Sequence, residues 1–413
     1  MNGEPVVITK AIRAWRNGGV EGLGAAGRRW LNRRLGPEPQ DLALAPADIV
    51  QSPAALQGDC TLPNGGSYSI GWVLTPPSGG SGGHTTAFRM IQALERKGHR
   101  CEIWLYAGRG SVPEDAERVI REWWPDVRAD VKPVPESAKG FHAVVATAWQ
   151  TAHVVARFTE PARRVYFAQD YEPWFYGQGV ASELARATYD FGFDILTVGR
   201  AVADKIYDAH GVEPVVVPYG CDHEVYRADL HSQRDAVVFY SRPGVARRGY
   251  ELGVAALEIF HRERPEVPIH SIGTMAGRAP FPVTVHPTLS PSQLNALYRR
   301  CAAGLVLSFT NVSLVPFELL AAGVVPVLND WRYSRLDLHG DHVVWSPPTP
   351  RKLAEGLVAG IELQQTAGAA SVASDASHLD WRSSGDRFAA ALEEVLSGSP
   401  SAASMSRAEG LNA

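Results

Sequence analysis

Arg242 and Arg248 stand six residues apart in Ser241-Arg242-Pro243-Gly244-Val245-Ala246-Arg247-Arg248-Gly249, between an apolar run and a helical stretch. Two guanidinium groups where a strand ends and a helix starts can converge on a diphosphate and neutralise it without a metal ion. Either arginine alone reads equally well as a solvated surface residue. Further on, Thr310 to Phe317 is a polar loop entering a short helix that carries Glu318, the only carboxylate between Gly304 and Leu328. The N–H groups near Ser313 and Leu314 would lie unpaired at a positive dipole end, so an anion suits the loop. Glu318 could accept hydrogen bonds from sugar hydroxyls or simply answer the helix dipole.

Two more clusters precede these. Gly79 to Gly83 holds four glycines in five residues, and the N–H groups of Gly82, Gly83 and His84 would face a ligand there. Its plainer reading is a flexible turn. GGSGG does not match GxGxxG, and no acidic residue closes the next strand, so NAD is not expected. Gln169 to Tyr176 sets Asp170 and Glu172 among four aromatics, Trp174 included. Aromatic faces pack on sugar rings while carboxylates hold hydroxyls or take a proton, although a packed loop has the same composition.

Alternating strands and helices position these clusters. Ser69 to Leu74, Cys101 to Tyr106, Ala143 to Thr147, Arg164 to Phe167, Ile195 to Val198 and Val215 to Pro218 read as strands of one parallel sheet, with helices over Thr85 to Lys97 and Ala201 to Ala209. Val237 to Tyr240, Ile269 to Gly273, Gly304 to Phe309 and Val324 to Leu328 give a second. Its helices are expected over Tyr250 to Arg262 and Gln293 to Cys301, with a turn at Thr288 to Ser290. The expected division is a basic arm and linker over 1–57, domains over 58–225 and 226–384, a last helix over 385–396, and a Ser/Ala-rich, disordered tail over 397–413.

At 413 residues and 45% hydrophobic, the chain can bury two cores. A net charge of −4 argues against a general nucleic-acid binder. Cys60, Cys101, Cys221 and Cys301 form no CxxC pair, which fits a reducing compartment, with the cytoplasm as the default. No apolar run reaches the roughly 18 residues of a spanning helix, and the start lacks a signal peptide's apolar region. In the arm, Lys10, Arg13, Arg16, Arg28, Arg29, Arg33 and Arg34 alternate with Ile12, Trp15, Leu23, Trp30, Leu31 and Leu35. It either lies on the anionic inner face of the cell membrane or packs across the protein.

Five stretches in this order resemble the GT-B glycosyltransferases of the large retaining family 4, and within it the WsaF-like rhamnosyltransferases. They are Gly79 to His84, FAQDYEPWFY from Phe167, VPYGCDHEVY from Val217, SRPGVARRG from Ser241 and TNVSLVPFELLAAGVVPV from Thr310. The resemblance implies an α/β fold of two Rossmann-like domains facing each other across a cleft, the second holding the nucleotide-sugar. The family's Arg…Lys pair falls on Arg242 and Arg248, with arginine in the place of lysine, and its ribose-binding glutamate on Glu318. The preceding family glutamate falls on Thr310, and the histidine near the reacting carbon falls on Gln169. The implied catalytic residues are Arg242, Arg248 and Asp170. The implied donor site is Gly82, Gly83, Gly273, Leu289, Thr310, Asn311, Ser313, Leu314 and Glu318. His84, Gln169, Glu172 and Trp174 are left for the acceptor. The implied reaction moves a 6-deoxyhexose, L-rhamnose from dTDP-L-rhamnose, onto a glycan or lipid-linked glycan, with no cofactor and no metal. A GT-B epimerase or phosphorylase, or a non-catalytic glycan-binding scaffold, stays open as the alternative.

Overall fold

A computed structural model describes residues 44–58, 66–108 and 110–397. The basic arm up to residue 43, Cys60 and the tail from 398 lie outside the described residues. The chain divides after residue 46, and everything below concerns the described residues from 47 onward.

The first lobe is a parallel sheet in the order β3-β2-β1-β4-β5-β6-β7. Its strands are β1 (Ser69–Leu74), β2 (Arg100–Leu105), β3 (Asp130–Pro133), β4 (Ala143–Ala146), β5 (Arg163–Ala168), β6 (Asp194–Val198) and β7 (Val215–Val217). Helices α1 (Gly82–Arg96), α2 (Ala116–Trp123), α3 (Trp149–Ala156), α4 (Val180–Ala187) and α5 (Arg200–His210) connect them. β1 and β4 are covered on both faces, which is why they read as unbroken apolar runs rather than alternating ones.

The second lobe repeats the plan in the order β10-β9-β8-β11-β12-β13. Its strands are β8 (Ala236–Tyr240), β9 (Ile269–Ile272), β10 (Thr284–His286), β11 (Cys301–Leu305), β12 (Val325–Asn329) and β13 (Val344–Ser346). Its helices are α6 (Tyr250–Glu263), α7 (Pro291–Tyr298), α8 (Val315–Ala321), α9 (Pro350–Ala367) and α10 (Ala369–Ser374). Strand order reverses between β1 and β4 in one sheet and between β8 and β11 in the other. Ligands of open α/β sheets bind beyond the carboxyl ends at such switch points. The glycine loop after β1, the arginine loop after β8 and the loop after β11 all lie there.

Three expectations shift. The helix expected from Gln293 to Cys301 is α7, which starts at Pro291 because Ser290 and Gln293 form a capping box, and ends at Tyr298. Cys301 therefore opens β11, where Gly304 was expected to begin the strand. After Leu305 the chain leaves the ladder, and Phe309 N–H donates to the Arg247 carbonyl at 2.9 Å. Gly304 sits mid-strand because a Cβ there would fall 2.6 Å from Leu319 of α8. The last helix, α11 (Trp381–Leu396), begins four residues before Gly385, its amides capped by the Asp380 carboxylate. It belongs to the first lobe: Phe388 packs on Trp72 and Phe167 with ring centroids 5.5 and 5.0 Å away. Burial of each such ring contributes about 1.5–3 kcal/mol, which ties the end of the chain to its beginning.

Candidate functional site

In the second lobe, the end of β12 builds the loop that holds an arginine. Asn329 accepts from Ser308 N–H (2.8 Å) and donates to Ser308 C=O (2.7 Å), fixing the turn after β11. The Ser308 hydroxyl donates to Asn311 C=O at 2.5 Å and accepts from Arg248 at 2.7 Å. Arg248 also reaches the Asn311 side chain at 3.4 Å. Among the described residues, the backbone N–H groups of Ser313 and Leu314 have no acceptor, and the Ser313 hydroxyl is buried without a partner.

The first lobe meets this loop with backbone. Thr85 N–H is the first in α1 to find a carbonyl, that of Ser81 at 2.9 Å, so the N–H groups of Gly82, Gly83 and His84 remain open at the helix start. The two lobes come close here: a Cβ at Gly82 would lie 3.8 Å from Leu314 in the other lobe, and one at Gly83 3.6 Å from the Gln169 amide, both ordinary contact distances. The His84 ring is already committed. Its Nε2 bonds Thr75 C=O at 2.9 Å and its Nδ1 bonds the Ser81 hydroxyl at 2.8 Å, while burial holds its pKa below the usual histidine range. His84 thus braces the glycine loop and has no ring nitrogen left for an acceptor.

The lobes are hydrogen-bonded to each other beside these groups. Asn311 donates to Gln169 C=O at 2.7 Å, and the Thr310 hydroxyl donates to Asp170 at 2.8 Å. Asp170 is buried, which raises its pKa against the opposing pull of Arg248, the Thr310 bond and Arg247. Glu172 turns into its own lobe, accepting from Trp149 N–H and from the Tyr166 hydroxyl. Burial pushes its carboxyl up to about 7. Its Oε2 takes both bonds and the residue is buried, so Glu172 serves packing within its lobe rather than the acceptor contact the resemblance implies. Trp174 does face outward, meeting Tyr333 and Trp331 of the second lobe at 5.1 and 5.9 Å, with the Lys205 ammonium 5.4 Å above its ring.

The remaining expected residues make other contacts. Arg242 is exposed and folds back on its own strand, with Nε 2.9 Å from the Tyr240 hydroxyl and the guanidinium 5.2 Å above that ring. Arg248 is instead bound to Ser308 and Asn311, so in this structure the two guanidinium groups have different partners. Glu318 lies in the first turn of α8 beside Tyr298, whose hydroxyl is 3.5 Å away, and burial pushes its carboxyl up to about 7. Gly273 supports the backbone, since a Cβ there would fall 2.3 Å from Ser241 C=O, and Leu289 packs against the core. Among the described residues, no three His, Cys, Asp or Glu side chains gather as a metal site.

Two residues were missed. Arg247 sits beside Arg248 with its guanidinium 3.9 Å above the Phe175 ring of the first lobe. Its neighbour in the double arginine drew the reading to itself. Asp337 of the second lobe caps α5 of the first, accepting from Arg200 and Ala201 N–H at 2.5 and 3.1 Å. Nothing in the local sequence marks so distant a cap. Asp170, Tyr171, Trp174, Thr310, Asn311 and Tyr333 line a crevice that leaves no room for a water molecule. Small-molecule sites span roughly 300–1,000 Å³, so the bridging hydrogen bonds keep the lobes too close for a nucleotide-sugar at this point.

Solved structures share this architecture. HepE from Anabaena, solved in complex with UDP-glucose, superposes with a TM-score of 0.62 at 16% identity, over 79% of this chain and all of its own. This is the GT-B fold. A putative UDP-N-acetylglucosamine 2-epimerase from Listeria monocytogenes has the same arrangement, with a TM-score of 0.56 at 10% identity, over 81% of this chain and 98% of its own. In sequence, residues 235–358 match the WsaF C-terminal domain family. The O-antigen biosynthesis protein RfbC of Myxococcus xanthus is 32% identical over 280 residues. That alignment covers 64% of this chain and 22% of the relative, so the chain spans about a fifth of that protein's length. Among the described residues, no helix is long and apolar enough to cross a membrane.

Proposed function

We propose that the protein is a nucleotide-sugar-dependent glycosyltransferase of bacterial surface-glycan synthesis, retaining and metal-independent, that moves a 6-deoxyhexose onto a glycan acceptor. The single observation that carries this reading is the meeting of anion-binding groups from both lobes at the two switch points. Arg248 and the open N–H groups of Ser313 and Leu314 come from one side, those of Gly82 and Gly83 from the other, and Gly82 and Leu314 are near neighbours. The likeness of 235–358 to the WsaF C-terminal domain and the identity with RfbC support the pathway class.

The chemistry needs the departing diphosphate to be stabilised. Each fixed donor aimed at the developing charge is worth roughly 2–4 kcal/mol in the transition state. If the acceptor attacks from the face the diphosphate leaves, a phosphate oxygen takes the acceptor proton and no protein base is required. Asp170, held near this point by Thr310, is the carboxylate within reach of an acceptor hydroxyl. Binding first requires the Gln169–Asn311 and Asp170–Thr310 bonds to open. The donor we propose is dTDP-L-rhamnose.

The test is a panel of dTDP-L-rhamnose, UDP-glucose and UDP-N-acetylglucosamine, each with and without a surface-glycan acceptor, following nucleotide release and product mass. Acceptor-dependent dTDP release with a mass gain of one deoxyhexose supports the proposal. Isomerised donor in the acceptor-free arm would make the protein an epimerase instead.

A further inference from the structure

The arginine loop carries three guanidinium groups, and only one of them is left without a partner in the interior. Arg242 is exposed and rests on Tyr240, and Arg248 is tied to Ser308 and Asn311. Arg247 is drawn inward beneath the first lobe, stacked on Phe175 at 3.9 Å, with a buried Nε that has no partner. Among the described residues, no hydrogen bond or ion pair engages its side chain. A buried donor with no acceptor on a half-buried guanidinium is costly, and proteins keep such a group where a ligand or partner completes it.

The surroundings say what sign and size that ligand has. Burial and then a second cation, Arg248, lower the pKa of Arg247, with Asp170 and Glu172 opposing. The carboxylates facing the pair, Asp170 and Glu172, are both buried, hydrogen-bonded elsewhere and shifted toward their neutral forms. Two adjacent positive charges therefore face carboxylates that burial shifts toward the neutral form. A group with two negative charges balances them, and a bidentate guanidinium fits phosphate oxygens well.

We infer that Arg247, not Arg242, is the second guanidinium of the diphosphate site, joining Arg248 when a nucleoside diphosphate enters between the lobes. This rests on the glycosyltransferase reading and adds to it which side chain completes the site. Stacking on Phe175 links the group to the first lobe, so a diphosphate bound by Arg247 is sensed by both halves of the molecule.

Calorimetric titration of the full chain with dTDP and with UDP tests this. The proteins are the wild type, Arg247→Gln, Arg247→Lys, Arg248→Ala and Arg242→Ala, each with its melting curve. Arg247→Gln keeps most of the aliphatic stem and a polar end while removing the charge stacked on Phe175, and Arg247→Lys keeps the charge, so the pair separates a lost charge from a lost fold. The expected result is at least about tenfold weaker binding in Arg247→Gln, partial recovery in Arg247→Lys, and affinity within about twofold of wild type in Arg242→Ala. Wild-type affinity in Arg247→Gln, with loss in Arg242→Ala, overturns the inference while leaving the glycosyltransferase reading intact. A wild type that binds neither diphosphate, under conditions where it melts cooperatively, overturns both.

Discussion

The two lobes bring unlike materials to the same place. The first offers backbone: two of its polar side chains near the site are engaged within the lobe, His84 by Thr75 and Ser81, Glu172 by Trp149 and Tyr166. The second offers charge, a loop of arginines of which one is anchored by the Ser308–Asn329 turn and another is left unpaired. Open N–H groups at a helix start are rigid and cannot be mutated away, whereas a guanidinium is strong and movable. The contrast teaches that placement is set by the first lobe and affinity by the second, and it can be broken residue by residue.

The largest effect should come from the second lobe. Arg248→Ala is expected to lower turnover at least about 100-fold, because a fixed donor to the leaving diphosphate is lost. Its melting temperature should move little, since only exchangeable loop hydrogen bonds are removed. Steady-state kinetics with a matched melting curve decides this.

Glu172 probes the first lobe. Its carboxyl is raised to about 7 from an ordinary 4.5, so the folded state holds a proton that the unfolded chain releases. That contribution to stability is fully present below about pH 4.5 and is lost as pH rises through 7. Glu172→Gln removes the titration. Relative to this variant, the wild type should lose about 3 kcal/mol of unfolding free energy between pH 4.5 and 7.5, measured by urea melts at several pH values. A difference that does not vary with pH contradicts the burial of the group.

Gly82→Ala adds a methyl that meets Leu314 only at ordinary contact distance, so the fold should stand. The methyl occupies the space between the lobes, and nucleoside diphosphate affinity should fall by about tenfold, an effect of roughly 1.4 kcal/mol. Thr310→Val removes the bond to Asp170 and should cost about 1 kcal/mol of stability. A double-mutant cycle with Asp170→Asn should return a coupling of similar size.

Much of this was legible along the chain because α/β units advertise themselves. Apolar runs such as Ile70 to Leu74 and Val325 to Leu328 mark buried parallel strands, and glycines or polar loops at their ends mark the switch points. The short edge strands were not legible: β3 and β10 are largely exposed and carry no apolar run to betray them. The 18 residues of α9 also escaped, as their pattern runs on from a loop with little contrast. Within the site, residue types and loops could be read, but not partnership. Whether Arg242 or Arg247 turns inward depends on Tyr240 and Phe175, the second of which lies more than seventy residues away in the other lobe.

A crystal structure of the protein with dTDP bound tests the central claim most directly. The account predicts the diphosphate between the lobes, its oxygens within hydrogen-bond reach of the Arg248 guanidinium and of the N–H groups of Gly82 and Gly83. A diphosphate held on the outer face beside Arg242 and Tyr240, with Arg248 still on Ser308 and the lobes unmoved, would contradict it.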